Sequence, residues 1–144
     1  MRALRVLGLA LTLGACATGV PSYVALSSDS DATIVADDVA AFVADQMPAG
    51  AAKIAVYVAP GGNDTFAPKL MAALQAQDMT IESGRGATAP GVHQLRYQID
   101  RLGQGELVRI ELDGRTAAQL LTRDGAGSLE PSGPFTLRAE VAAR

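Results

Sequence analysis

Tryptophan is absent, and cysteine and histidine occur once each, as Cys16 and His93. A single cysteine excludes an internal disulfide, so a domain in an oxidising compartment must hold together by packing alone. One thiol and one imidazole cannot supply the several nitrogen or sulfur ligands of a zinc centre. His93 also has no evident partner to orient it as a general base. Three Phe and three Tyr leave few large platforms for a sugar or a base, and the core must be built mainly from Val, Ile and Leu. Basic charge is scarce too: 12 Lys and Arg stand against 15 Asp and Glu, a net charge of −3. That balance lacks the basic footprint of a nucleic-acid surface. No apolar run approaches the ~20 residues that span a hydrocarbon core. No serine sits in a nucleophile elbow, since Ser128 is followed by Leu129 and Glu130. Internal repeats are missing. These absences lead to the expectation of a non-enzyme with no cofactor, no metal, no small-molecule substrate and no nucleic-acid partner.

What is present begins at the amino terminus. Arg2 and Arg5 precede an apolar run from Val6 to Leu13, the layout of an export signal. It closes in Leu13-Gly14-Ala15-Cys16, which resembles the lipobox of bacterial lipoproteins. The resemblance implies a diacylated Cys16 thiol, cleavage after Ala15 and acylation of the new amino group. Losing Arg2 and Arg5 with residues 1–15 would take the formal charge from −3 to −5. Each buried CH₂ contributes about 0.8 kcal/mol, so two or three chains make an effectively permanent anchor. By the same resemblance, Ala17 rather than an aspartate after the anchor points to the periplasmic face of the outer membrane.

Residues 16–31 mix Gly, Pro, Ser and Asp with little periodicity and are expected to be the lipidated end and a flexible tether. Residues 32–144 form the expected periplasmic domain, long enough for one hydrophobic core. Asp29-Ser30-Asp31 offers carboxylates, but an oxygen-ligand loop needs more donors and a fixed turn. Val35, Val39, Phe42, Val43 and Met47 recur at helical spacing, with Asp31 or Thr33 as the cap and Pro48 and Gly50 as the stop. Asp37, Asp38 and Asp45 fall mainly off that stripe and read as a solvated acidic surface.

Alternation from Lys53 to Val58 predicts a buried strand, and Pro60 to Thr65 a loop that caps a second helix on Phe66, Leu70, Met71 and Leu74. That loop lacks the lysine and glycine spacing of a phosphate-binding loop. A strand is expected over Met79 to Ser83. Gly84-Arg85-Gly86-Ala87-Thr88-Ala89 matches a relaxed dinucleotide fingerprint in letters only, because Pro90-Gly91 prevents the helix that would receive the pyrophosphate. Strands follow over Val92 to Leu102, Glu106 to Leu112 and Thr116 to Thr122, with Asp113-Gly114 a hairpin signal. Phe135, Leu137 and Ala139 make a short terminal strand. Arg96, Arg101, Arg109 and Arg115 are expected to share a sheet face with Glu111 and Asp100 as cross-strand pairs, with a partner-binding surface as the alternative. The order α-β-α-β-β-β-β predicts an α+β fold, two helices on one face of a mostly antiparallel sheet of four to five strands.

In order and spacing the domain resembles TrbH, a lipoprotein family of conjugative transfer systems. The resemblance is carried by Ala36-Asp37-Asp38-Val39-Ala40, by Phe66-Ala67-Pro68-Lys69-Leu70-Met71-Ala72-Ala73-Leu74 before Met79-Thr80-Ile81, by Leu95-Arg96-Tyr97-Gln98-Ile99-Asp100, and by Gly127 through Phe135. It implies a lipid-anchored structural component of a conjugative type IV secretion channel, contacting neighbouring channel proteins. A competing class is an auxiliary lipoprotein of an envelope lipid or solute transport system, which requires an apolar groove between helices and sheet.

Overall fold

The computed structural model describes residues 21–47, 52–62, 64–85 and 89–138. Cys16 and the lipobox residues Leu13, Gly14 and Ala15 lie outside the described residues, as do the expected helix stop at Pro48 and Gly50 and the expected strand residue Ala139. Among the described residues no helix is long and apolar enough to cross a membrane.

The first element is a short strand, β1 (Tyr23–Val24), and the next a helix, α1 (Asp29–Gln46). Both fall partly or wholly within the span expected to be tether. Residues 21–31 are instead folded onto the domain. Ser28 is the cap of α1, with its hydroxyl accepting from the Asp31 backbone N–H at 3.1 Å, so the helix starts ahead of both expected capping residues. Ala32, Val35, Ala36, Val39, Ala40 and Val43 form its buried stripe.

Strand β2 (Lys53–Val56) leads into helix α2 (Phe66–Ala76) and strand β3 (Thr80–Ser83). A strand–helix–strand connection brings its two strands side by side and parallel, because the helix carries the chain back to the starting edge. Strands β4 (Val92–Leu102), β5 (Gly105–Leu112) and β6 (Arg115–Arg123) form an antiparallel meander. Two short strands, β7 (Leu129–Pro131) and β8 (Thr136–Leu137), both pair with β6. The main order is β3-β2-β4-β5-β6-β7, and β1 pairs with β4 beyond the end of β2.

The α+β class is therefore as expected, but the sheet is mixed and eight-stranded. β2 runs parallel to both β3 and β4, and β1 runs parallel to β4. The expected antiparallel character holds only for the half built by β4 to β8. β2 also ends at Val56, two residues short of the expected Val58, because β4 changes partner from β2 to β1 at that level.

One sheet face is covered. Ile54, Val56, Leu95, Tyr97, Ile99, Val108, Ile110 and Leu121 meet Val39, Val43, Phe66, Leu70 and Leu74 in a single core. Phe66 packs edge-on against Tyr97 with ring centroids 5.0 Å apart. Phe135 stacks on Phe42 at 4.5 Å and closes one side. The interface between helices and sheet is filled by these side chains.

Candidate functional site

Three features of this fold carry polar chemistry. The first is the carboxyl end of β2, where the sheet divides between β3 and β4. Open sheets place ligands at such a division. A cleft of about 600 Å³ lies there, lined by Ser22, Tyr23, Ser28, Pro60, Asp64 and Thr65 among others. Ser22 plugs the junction itself. Its hydroxyl accepts from the Tyr97 N–H at 3.3 Å and donates to the Tyr57 carbonyl at 2.5 Å, which satisfies backbone groups left over where β2 departs.

Asp64 organises the other wall. One carboxylate oxygen accepts from the backbone N–H groups of Phe66 and Ala67 at 2.9 and 3.0 Å, capping α2. The other accepts from Ala59 N–H at 3.2 Å and from the buried Tyr97 hydroxyl. Burial, and then the adjacent carboxylate, raise the Tyr97 pKa far above its ordinary value, so the phenol stays protonated. Both helix amino termini at this cleft already hold carboxylates, and an anionic ligand would meet Asp29 and Asp64 there. The loop from Pro60 to Thr65 thus serves as a cap, in agreement with its sequence.

The second feature adjoins the first. Arg123 reaches across from β6 and grips Asp31 with both terminal nitrogens, at 2.8 and 3.2 Å, and also donates to the Gly127 carbonyl at 2.9 Å. Asp31 is nearly fully buried, and the guanidinium hydrogen bond holds its carboxyl below the ordinary range. Asp29 pairs with Lys69 at 2.9 Å. The Asp29-Ser30-Asp31 carboxylates therefore sit in the first turn of α1, neutralised by cations, and do not converge on a shared point.

Beside this pair lies Glu106, which is 0% exposed. One oxygen meets the Ser27 hydroxyl at 3.4 Å, and the other has no hydrogen-bond partner. Burial pushes its pKa up, opposed chiefly by the nearby Arg101. Arg101 in turn donates to the Ser27 hydroxyl at 2.5 Å. Ser27, Asp31, Arg101, Glu106 and Arg123 therefore form one ionic end of the domain.

The third feature is the sheet face away from the helices. Arg96 lies directly opposite Glu111 at 3.7 Å, and its guanidinium centre sits 3.9 Å over the Tyr57 ring. Arg109 pairs with Asp100. The expected cross-strand pairs of Arg96 and Arg109 are thus present. Arg101 and Arg115 are not with them: their registers, opposite Glu106 and Leu112, put them on the helix-covered face. Four arginines split two and two because the odd and even positions of a strand point to opposite faces.

The structure places His93 at the other end of β4, with its Nδ1 2.7 Å from an Asp113 oxygen; the second Asp113 oxygen accepts from Gln94 N–H at 2.8 Å. The partner missing from the sequence reading is thus supplied by the hairpin turn, and its role is to tie that turn to β4. Among the described residues no three His, Cys, Asp or Glu side chains come together in a metal-holding group. Asp38, expected to be solvated, is half-buried; burial raises its pKa and a Gln119 hydrogen bond partly offsets that.

Asp64, Glu106 and the Asp31–Arg123 pair were not singled out by sequence as a group. For the charged residues of the ionic end the signal was phase. Asp31 lies one helical turn before Val35, Glu106 two residues before Val108, Arg101 two after Ile99 and Arg123 two after Leu121. Each is a charged residue in step with the core.

A two-layer α+β domain results, with the buried Asp31 gripped by Arg123, the buried Glu106 beside that pair, and ion pairs on an open sheet face. The model of the conjugal transfer protein TrbH family matches residues 18–140, and the chain belongs to that family. No curated protein and no solved structure gives a match.

Proposed function

We propose that this conjugal transfer protein is a lipid-anchored structural component of a conjugative type IV secretion channel, held at the periplasmic face of the outer membrane by acyl chains on Cys16 and working by contact with neighbouring channel proteins. The observation that carries this reading is the family match, which begins two residues after Cys16 and continues through every described strand and helix. Physical support comes from both ends of the molecule. The leader and lipobox of the sequence fit export and acylation. The folded part offers short edge strands, which suit protein contact. Acylation also concentrates the domain near membrane-bound partners. The transporter-auxiliary alternative needs an apolar groove, and the space it would occupy is filled by Val39, Val43, Leu70 and Leu74.

The test uses donor cells that carry the complete transfer system with the intact chain tagged at its carboxyl terminus. Solubilised membranes should yield identified channel subunits with the tagged protein, and its mature amino terminus should carry acyl mass. Cys16→Ser should release the domain from the membrane fraction and lower mating frequency. Unchanged mating on deletion of the gene, with no channel subunit co-purifying, would overturn the reading.

A further inference from the structure

The described residues begin at Pro21. The Pro21 carbonyl accepts from Gln98 Nε2 at 3.4 Å. Gln98 lies between the buried Tyr97 and Ile99, so its side chain points away from the helices. Tyr23, in register with Gln98, shares that face and is 53% exposed. Pro21 therefore lies on the open sheet side. From Pro21 back to Cys16 there are only five residues, which span at most about 18 Å however they are arranged. A helix with its side chains is about 10–12 Å across, so presenting the helices to the bilayer would use up most of that leash on the domain's own thickness.

Charge separates the two sides in the same sense. α1 carries Asp37, Asp38 and Asp45 and no basic residue, its Asp29 and Asp31 being paired with Lys69 and Arg123. The sheet face balances its charges, with Arg96 against Glu111 and Arg109 against Asp100. An anionic phospholipid surface repels the first side and tolerates the second. Tyr23 and Leu120, the latter 39% exposed, add apolar area to the face that would meet the headgroups.

We propose that the open sheet face lies against the phospholipid headgroup layer, and that α1 and α2 face away from the membrane. This orientation rests on the reading of Cys16 as the anchor. Because the chain contains no tryptophan, single reporters can test it: Leu120→Trp and, independently, Thr122→Trp on the sheet face, against Ala41→Trp on the exposed side of α1. Each acylated protein is placed in vesicles of phosphatidylethanolamine and phosphatidylglycerol carrying a nitroxide on the headgroup. The sheet-face tryptophans should lose most of their fluorescence and the α1 tryptophan almost none, with quenching abolished when Cys16→Ser is added. Equal quenching on both sides, or stronger quenching at position 41, overturns the orientation while leaving the anchor intact. A wild-type chain that neither binds vesicles nor carries acyl mass overturns the anchor, and the orientation with it.

Discussion

At the scale of single residues, the fold depends on polar groups that sit where apolar ones would be expected. Tyr97 is the clearest case, because its ring belongs to the core with Phe66 while its hydroxyl reaches Asp64 at the start of α2. One side chain thereby joins the middle of the sheet to a helix cap. Tyr97→Phe keeps the ring and removes the donor, leaving the Asp64 oxygen with only Ala59 N–H. Hydrogen bonds to charged groups contribute about 1.5–3 kcal/mol, and a loss of about that size is expected in urea unfolding, with little change in slope. An unchanged midpoint would show that the hydroxyl adds nothing. Alternation placed Tyr97 inside from sequence, but the partner of its hydroxyl lies 33 residues away. Strand phase contains no information about such a contact.

At the scale of elements, local chemistry sets where each piece starts and how closely its neighbours approach. α1 begins at Asp29 because the Ser28 hydroxyl accepts from Asp31 N–H, and Ser28→Ala should cost about 1 kcal/mol. Thermal unfolding followed by circular dichroism would measure it. The β4–β5 turn imposes a tighter constraint. A Cβ at Gly105 would stand 2.3 Å from the Leu121 carbonyl oxygen, which is backbone and cannot swing aside. Gly105→Ala should therefore destabilise by about 1–3 kcal/mol, the range for forcing atoms into a packed site; a neutral result would mean that β5 and β6 can separate at that point without loss. Helix stripes and the β4–β5–β6 meander were legible, since spacing and the Asp113-Gly114 turn are local. Strand direction was less so. The α2 connection already implied that β2 and β3 run parallel, but nothing nearby in sequence shows that β4 crosses to the other side of β2. Residues 21–28 were misread as tether for the same reason: their ordering comes from Tyr57, Gln98, Ile99 and Arg101, all distant in the chain.

At the scale of the whole molecule, the ionic end and the half-buried Asp38 set how stability should follow pH. Glu106 and Asp38 are both raised above their ordinary values of 4.5 and 3.8, in each case first by burial. The folded state then holds protons that the unfolded chain has released, so stability falls as pH rises from those ordinary values through the folded ones. Acidification from neutrality should therefore stabilise the domain until both groups are protonated. Asp31 acts in the opposite direction. Its carboxyl is held below 3.8 by the Arg123 hydrogen bond, so its contribution is present above that value and disappears as pH falls through the lower, folded one. The two trends give a melting temperature that climbs on the acid side of neutral and then drops below the ordinary aspartate range. Glu106→Gln tests the assignment, because it removes the largest buried carboxylate while keeping its shape. The variant should melt higher than wild type at neutral pH, and its advantage should shrink as Glu106 becomes protonated in the native protein. A constant difference across the whole series would mean that Glu106 does not titrate with folding, and that the climb comes from Asp38 alone.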